Sequence, residues 1–456
     1  MTSPQATTGS EIVNLCAAPL GRLQRPDNQP RVARVSRLLL LLSSLFFLTV
    51  CTARASRREQ IKFWGLGREG EVVIQMMPEF ERRNPGIHVD VQQIPWTAAH
   101  EKLLTAYVGS ATPDVAQMGN TWIPEFHAIH ALDSLTPRLG TSAIHHDDYF
   151  PGIWATNEVD GQLYGVPWYV DTRVLFYRTD LLKKAGVSRT PRTWSEWFDA
   201  MHRIREKNLA RFAILLPINQ WEEPTMFAMA QQSTLLRDGG RYGAFSQPEF
   251  VRAFTQYIDL FRKGYAPAVS NTQVANVYQG FAQGDFAMYL SGPWNVGEMR
   301  ERLPPEMKGR WSTAPMPAPD GMRWPGASLA GGASMVIFRN SSHKDAAWKL
   351  IEFLSEPAQQ IRFFELTKDL PANKGAWKTR ELKTDPYIAA FRTQLENVQP
   401  LPAVPEWERI ATSIYEDAES AIRGRMTVPQ AVADLDHKAD EILAKRRWVL
   451  ARTGGH

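Results

Sequence analysis

The sequence predicts an α/β protein of more than one lobe, and three observations carry that reading. A chain of 456 residues is too long for one hydrophobic core, which stops growing at roughly 250–300 residues. Hydrophobic residues at 44% and charged residues at 22% describe an ordinary globular protein, neither disordered nor membrane-spanning. A short strand from Ile61 to Trp64 is followed by a helical pattern through Val72, Val73, Met76, Met77 and Phe80, and then by a strand from Ile87 to Val91. The chain therefore opens on a βαβ unit.

Residues 1–55 read as an N-terminal extension and secretory signal. Arg31, Arg34 and Arg37 precede the apolar run Leu38 to Val50, which is too short to span a bilayer. Two processing sites follow. Ala53-Arg54-Ala55 has the A-x-A form and is the better of the two. Leu48-Thr49-Val50-Cys51 resembles a lipoprotein site, with Val50 where a small residue is usual, and would leave a lipid anchor at Cys51. Six of the 52 basic residues and two of the 48 acidic ones lie in residues 1–55. The remaining chain is formally neutral, so the pI near 8.9 reports the leader and argues for no nucleic-acid partner. Both cysteines, Cys16 and Cys51, lie there too, which leaves the body to be held by its core alone.

In chain order, a helix from Ala98 to Val108 and a strand from Pro113 lead into Asn120-Thr121-Trp122, and Tyr149, Phe150 and Trp154 complete a first lobe. The segment Asp160 to Leu182 leaves it. Val170 to Tyr177 has the composition of a strand, and Pro167, which lacks a ladder donor, points to a crossing strand at a sheet edge. In the second lobe Thr193 and Glu196 form a capping-box signature before a helix carrying Trp197, Met201 and Ile204. A strand follows from Phe212, then Trp221-Glu222-Glu223-Pro224 as a loop or helix entry, a helix from Phe250 to Arg262, and a strand that ends at Ser291-Gly292-Pro293-Trp294-Asn295. Prolines and glycines between Ala314 and Pro325 make an extended connector. Leu329-Ala330-Gly331-Gly332 then leads into a strand to Phe338 and a helix from Lys344 to Leu354, with Ser355 and Pro357 capping the next. The final helix, with Thr427 and Gln430 as a capping box, has the best apolar periodicity in the chain.

Gly65, Gly67 and Gly70, with Asp90 twenty residues on, satisfy a dinucleotide-binding fingerprint on paper. Glu71 follows the third glycine at once and Glu69 sits where a pyrophosphate would approach, so a loop presenting Arg68 and Glu69 to a polar ligand is the better reading. His145-His146-Asp147-Asp148 reads as a solvated loop, because four adjacent residues do not all face one ion. An acid pair such as Asp171 with Glu69 keeps a secreted glycosidase as an alternative. No cofactor is expected. Trp96, Trp122, Trp168, Trp221 and Trp294 stand at strand ends or loops beside Gly, Pro, Asn or acids. Each alone suits core packing, but as a set they suit carbohydrate, whose rings offer apolar faces to aromatics and hydroxyls to polar groups.

Several segments carry a family resemblance: Phe80 to Gly86, Pro113-Asp114-Val115, Asp160 to Lys184, Thr193 to Trp197, Phe281 to Trp294, Leu329 to Phe338 with Ala346-Ala347-Trp348, and Leu370 to Asn373. Here the chain resembles the extracellular sugar-binding proteins of ABC importers, the family of maltose- and trehalose-binding proteins. The resemblance implies a two-lobe periplasmic binding-protein fold with three hinge crossings, near Trp168–Asp171, Thr313–Pro317 and Thr367–Leu370. The lobes are then 56–168 with 316–367, and 169–315 with 368–450. It further implies a monomer that binds an oligosaccharide in the cleft without turnover and delivers it to the membrane permease. By position, Glu69, Asp171, Trp294, Gly331 and Gly332 match the family's ligand contacts. Arg68, Trp96, Asn120, Trp122, Tyr169, Trp221, Glu222, Asn295 and Asn373 complete the expected site. Gly119-Asn120 stands where some disaccharide binders have an acid, and Asn373 where some have an arginine. An α-linked glucose disaccharide of the maltose or trehalose type is the first expectation, ahead of longer maltodextrins or another glycoside.

Overall fold

The computed structural model describes residues 58–274 and 276–453, and the expected leader, both processing sites and Cys51 lie outside them. Strands β1 (Glu59–Leu66), β2 (Ile87–Ile94), β3 (Val115–Gly119) and β4 (Val166–Asp171) enter a larger sheet; β5 (Val174–Arg178), β6 (Phe212–Leu215), β7 (Phe286–Ser291) and β8 (Trp311–Ala314) form a smaller one; β9 (Gly331–Ile337) and β10 (Leu370–Pro371) return to the first. The larger sheet runs in the order β10-β4-β9-β3-β1-β2 and the smaller β8-β5-β7-β6. β1, β2 and β3 are parallel, while β9 runs antiparallel to both β3 and β4. β4 therefore points the same way as β1 and β3, and their carboxyl ends share one edge, where open α/β sheets take their ligands. All five residues of β3 are buried, as a parallel strand covered on both faces requires.

The stretch expected to form one strand from Val170 to Tyr177 is two strands in two sheets. β4 ends at Asp171, β5 begins at Val174, and the change of sheet falls at Thr172–Arg173. Nor is β4 an edge strand, since β9 flanks it on one side and β10 on the other. Pro167 is tolerated because β10 pairs only with Tyr169 and Val170, and because Pro167 lies opposite Ser334 beside a register shift. The connector from β8 to β9 touches this first crossing. The Ser328 hydroxyl donates to the Arg173 carbonyl at 2.9 Å and accepts from the Arg173 N–H at 3.1 Å.

One hydrophobic cluster runs from Phe63, Trp168 and Phe363 beside the larger sheet to Phe176 and Trp311 in the smaller. Trp168, grouped in the sequence with the indoles that as a set suit carbohydrate, takes the core role that each alone suits: it is fully buried, with its ring stacked 4.3 Å from Phe363. Period-two alternation explains this: Tyr169 and Asp171 share one face of β4 and Trp168 takes the other. A second cluster packs the Pro248–Arg262 helix against Trp407–Ile422 and Val428–Ile442. Thr427 and Gln430 make both halves of their capping box. At Thr193 only one half forms, because the Glu196 carboxylate accepts instead from the Arg192 N–H at 2.8 Å. Ser355 closes the helix Lys344–Ser355 rather than capping the next, whose N-cap is Glu356.

Trp168→Ala removes a stacked indole from the cluster linking the two sheets, and denaturant titration is expected to show a loss of about 3–5 kcal/mol.

Candidate functional site

A cavity of about 450 Å³ lies where the carboxyl ends of strands from both sheets meet. β1 leads into helix α1 (Gly67–Val73), which carries Glu69, and Trp96 opens helix α2 (Trp96–Val108) after β2. A 3-10 turn, Asn120–Trp122, follows β3; Tyr169 and Asp171 end β4; Gly331 and Gly332 begin β9. From the smaller sheet, Trp221 and Glu222 stand at the start of helix α3 (Glu222–Ala230) after β6, and Trp294 begins helix α4 (Trp294–Arg302) after β7. These eleven expected residues all line the cavity. Arg68 lines instead an adjoining space of about 910 Å³ that shares Glu69, Trp96 and Trp294 as walls.

Two expected residues stand elsewhere. Asn295 is buried behind Trp294, bonded to Ser291 and accepting from the Tyr278 hydroxyl at 2.8 Å. One residue along a helix turns the side chain about 100°, so the neighbour of a cavity-facing indole braces the helix start. Asn373 is buried in the turn after β10, where its side chain accepts from the Gly375 N–H at 2.7 Å. The segment His145–Asp148 is a single exposed turn, with Asp147 fully solvated. Among the described residues no group of three His, Cys, Asp or Glu is placed to hold a metal ion.

Three indoles lie on bare backbone. A Cβ on Gly67 would meet Trp96 at 2.5 Å, one on Gly119 would meet Trp122 at 3.2 Å, and one on Gly292 would fall inside the ring of Trp294. The Gly65-x-Gly67-x-x-Gly70 pattern is thus explained by packing: Gly67 carries Trp96, and a Cβ on Gly65 would sit 2.6 Å from the Cα of Gly70. Trp96 and Trp122 meet edge to face at 5.8 Å. Trp294 keeps 38% of its surface exposed and Trp96 36%, so both present open ring area to the cleft.

The polar groups divide into two halves. Glu69 accepts from the Tyr169 hydroxyl at 2.9 Å and the Trp96 Nε1 at 3.3 Å, yet burial still pushes its pKa up. Asp369, which the sequence reading missed, lines the cavity close by; burial and the charge of Glu69 hold it well above the usual carboxylate range. In the other half stands Arg173, also missed. Its Nη1 donates to both Asp171 oxygens at 2.8 Å, its Nη2 donates to Glu222 at 3.1 Å, and its guanidinium lies 4.7 Å from the Trp294 ring centre. Asp171 and Glu222, expected among the ligand contacts, are therefore shared with a cation. The available signal was the Asp-Thr-Arg spacing, which sets Asp171 and Arg173 two residues apart. Behind them Glu223 is almost fully buried, with no hydrogen-bond partner for its Oε2 among the described residues. The whole offers flat apolar rings beside fixed acceptors, an arrangement for gripping a polar molecule with apolar faces.

Comparison with known proteins gives the family. Residues 64–361 match the family of bacterial extracellular solute-binding proteins. The structure of the sugar-binding protein MalE from the phytopathogen Xanthomonas citri is similar at a TM-score of 0.83 and 50% identity, over 86% of this chain and 99% of that one. An ABC transporter solute-binding protein from Thermotoga lettingae, solved with α-D-tagatose bound, gives 0.71 and 26%, over 84% of this chain and 100% of that one. A maltodextrin-binding protein of Bacillus subtilis is 26% identical over 292 residues, 59% of this chain and 65% of its own length.

The buried Glu223 gives a pH test. Burial first and the charge of Glu222 second push its pKa from 4.5 up to about 8, against the pull of Arg173. The folded protein then holds a proton the unfolded chain has released, so this group's stabilisation is complete below about pH 4.5 and is lost as pH rises through 8. Glu223→Gln is expected to flatten the fall in melting temperature across that window, measured by thermal unfolding at closely spaced pH values.

Proposed function

The chain belongs to the bacterial extracellular solute-binding proteins, and we propose that it takes an α-linked glucose disaccharide, of the maltose or trehalose type, into the cavity between its two sheets. The observation that carries this is the pairing of glycine-backed indoles with fixed carboxyl groups from both sheets. A sugar ring stacks its C–H face on an indole and presents hydroxyls to acceptors at the rim. The likeness to a sugar-binding and a maltodextrin-binding protein supports a glucoside over other polar ligands. In this reading the protein is the exported, periplasmic receptor of an ABC importer. It acts as a monomer, holds its ligand without turnover and hands it to the membrane permease.

Residues 58–171 with β9, β10 and the helices between them make the first lobe in this proposal, and most of the remainder makes the second. In this proposal the expected bounds at 168 and 367 each move a few residues on, because the change of sheet falls at Thr172–Arg173 and β10 pairs with β4. A ligand gripped from both lobes favours a closed state by its differential affinity for that state.

Titration calorimetry with maltose, maltotriose and trehalose is expected to show binding to at least one of them, and NAD is expected to give no heat. The bound sugar is expected to be recovered intact after long incubation; released monosaccharide would transfer the reading to a glycosidase. Trp294→Ala is expected to weaken that sugar at least about tenfold, roughly 1.4 kcal/mol, with melting temperature nearly unchanged, since the ring is already partly in solvent. A destabilised Trp294→Ala protein that still binds at wild-type affinity would remove Trp294 from the site.

A further inference from the structure

Arg173 occupies the two-residue gap between the sheets, lines the cavity, and keeps 14% of its side chain exposed. Its three partners come from three places: Asp171 from the end of β4 in the larger sheet, Glu222 from the start of α3, and Trp294 from the start of α4. We propose that Arg173 is the specificity-determining residue of the cleft, fixing the Asp171 carboxylate beside the Trp294 indole so that the site reads the hydroxyl configuration of the stacked sugar ring. This rests on the sugar-binding reading and goes one step past it.

The chemistry follows from the shapes involved. A guanidinium is a flat plate with a fixed fork of donors, suited both to covering an aromatic face and to gripping carboxylates. Arg173 takes one position at each Asp171 oxygen. Each carboxylate oxygen has a second lone pair, and that remaining acceptor capacity is left for a ligand at a set distance from the ring. Glu222 holds the other arm of the fork, at 3.1 Å, and stops the plate from rotating. A pyranose stacked on the indole sends equatorial hydroxyls outward in its own plane, toward such a carboxylate. An axial hydroxyl instead projects through the face and lifts the ring away. With carboxylate and indole locked together, one epimer satisfies both contacts and the other loses one of them. A lysine at 173 keeps the charge but has neither plate nor fork, so carboxylate and indole become free to adjust separately.

The test is a ratio. Whichever of maltose or trehalose binds is titrated calorimetrically alongside its epimer with galactose in place of one glucose, against wild type, Arg173→Lys and Glu222→Gln. Wild type is expected to favour the glucose form at least about tenfold. Arg173→Lys is expected to bind it about tenfold more weakly and to shrink the preference to about threefold or less, with Glu222→Gln intermediate and melting temperatures close to wild type. A merely structural role would lower the melting temperature, or weaken both epimers alike and leave the ratio standing, and either result overturns the proposal. So does equal wild-type affinity for the two epimers, or an Arg173→Lys protein with the wild-type ratio. Wild type silent toward every sugar would instead overturn the sugar reading itself, a result distinct from binding with an unaltered ratio.

Discussion

Charge balance inside the cleft is the constraint on which the rest of the site depends. Glu69, Asp171, Glu222 and Asp369 line the cavity, and Arg173 is the one cation among its lining residues. That cation is committed to Asp171 and Glu222, so among the described lining residues no second cation stands by Glu69 and Asp369, and burial disfavours their charged forms. Removing the positive charge at 173 would leave two partly buried carboxylates beside the buried Glu223, the costly situation of buried charge without a partner. A neutral, hydroxyl-rich ligand suits both halves of such a site. Hydroxyls donate to a paired carboxylate and also accept from a carboxylic acid, and they bring no charge of their own to be buried.

The apolar half of the cavity wall rests on backbone. An indole resting on glycine has backbone, not side chain, beneath it, and cannot settle further when the cleft is empty. Gly67, Gly119 and Gly292 each fill this role for a different tryptophan on a different strand end. The rings are therefore placed before any ligand arrives, which lowers the ordering cost that binding must otherwise meet. Gly332 does similar work for the backbone: at φ +131 it lies against Val170 and Asp171, closing β9 onto β4 just where Asp171 enters the cavity.

Much of this was legible in the sequence, and the failures are of one kind. The βαβ opening, the helix starts and the set of eleven lining residues followed from periodicity, turn chemistry and a family resemblance, all of which are local or positional. Trp168 was left between core and cleft because alternation along β4 decides its face, and that face was unknown until the neighbours of β4 were known. Arg173 and Asp369 were missed because their importance lies in what they oppose across the cleft. Asn295 was included as the neighbour of Trp294 and Asn373 for its position in the family resemblance, yet helix rotation and a tight turn point them into the protein. Sequence spacing reveals which residues share a strand end; it does not reveal which charges face each other from two sheets.

The same geometry explains how a site drawn from two sheets keeps its precision. Trp168 clamps β4 into the core by stacking on Phe363, so the strand that delivers Tyr169 and Asp171 is held from behind by the cluster shared between the sheets. Flexibility, where opening and closing require it, has to be sought past Asp171, in Thr172–Arg173 and the connector that Ser328 ties to it. Arg173 then sits in the linking segment itself while gripping groups on both sides of it. A residue so placed senses the relative position of the two sheets directly, because any displacement of one against the other stretches a contact to Asp171, Glu222 or Trp294. The contacts that set the geometry of the cavity and those that span the change of sheet thus meet in a single side chain.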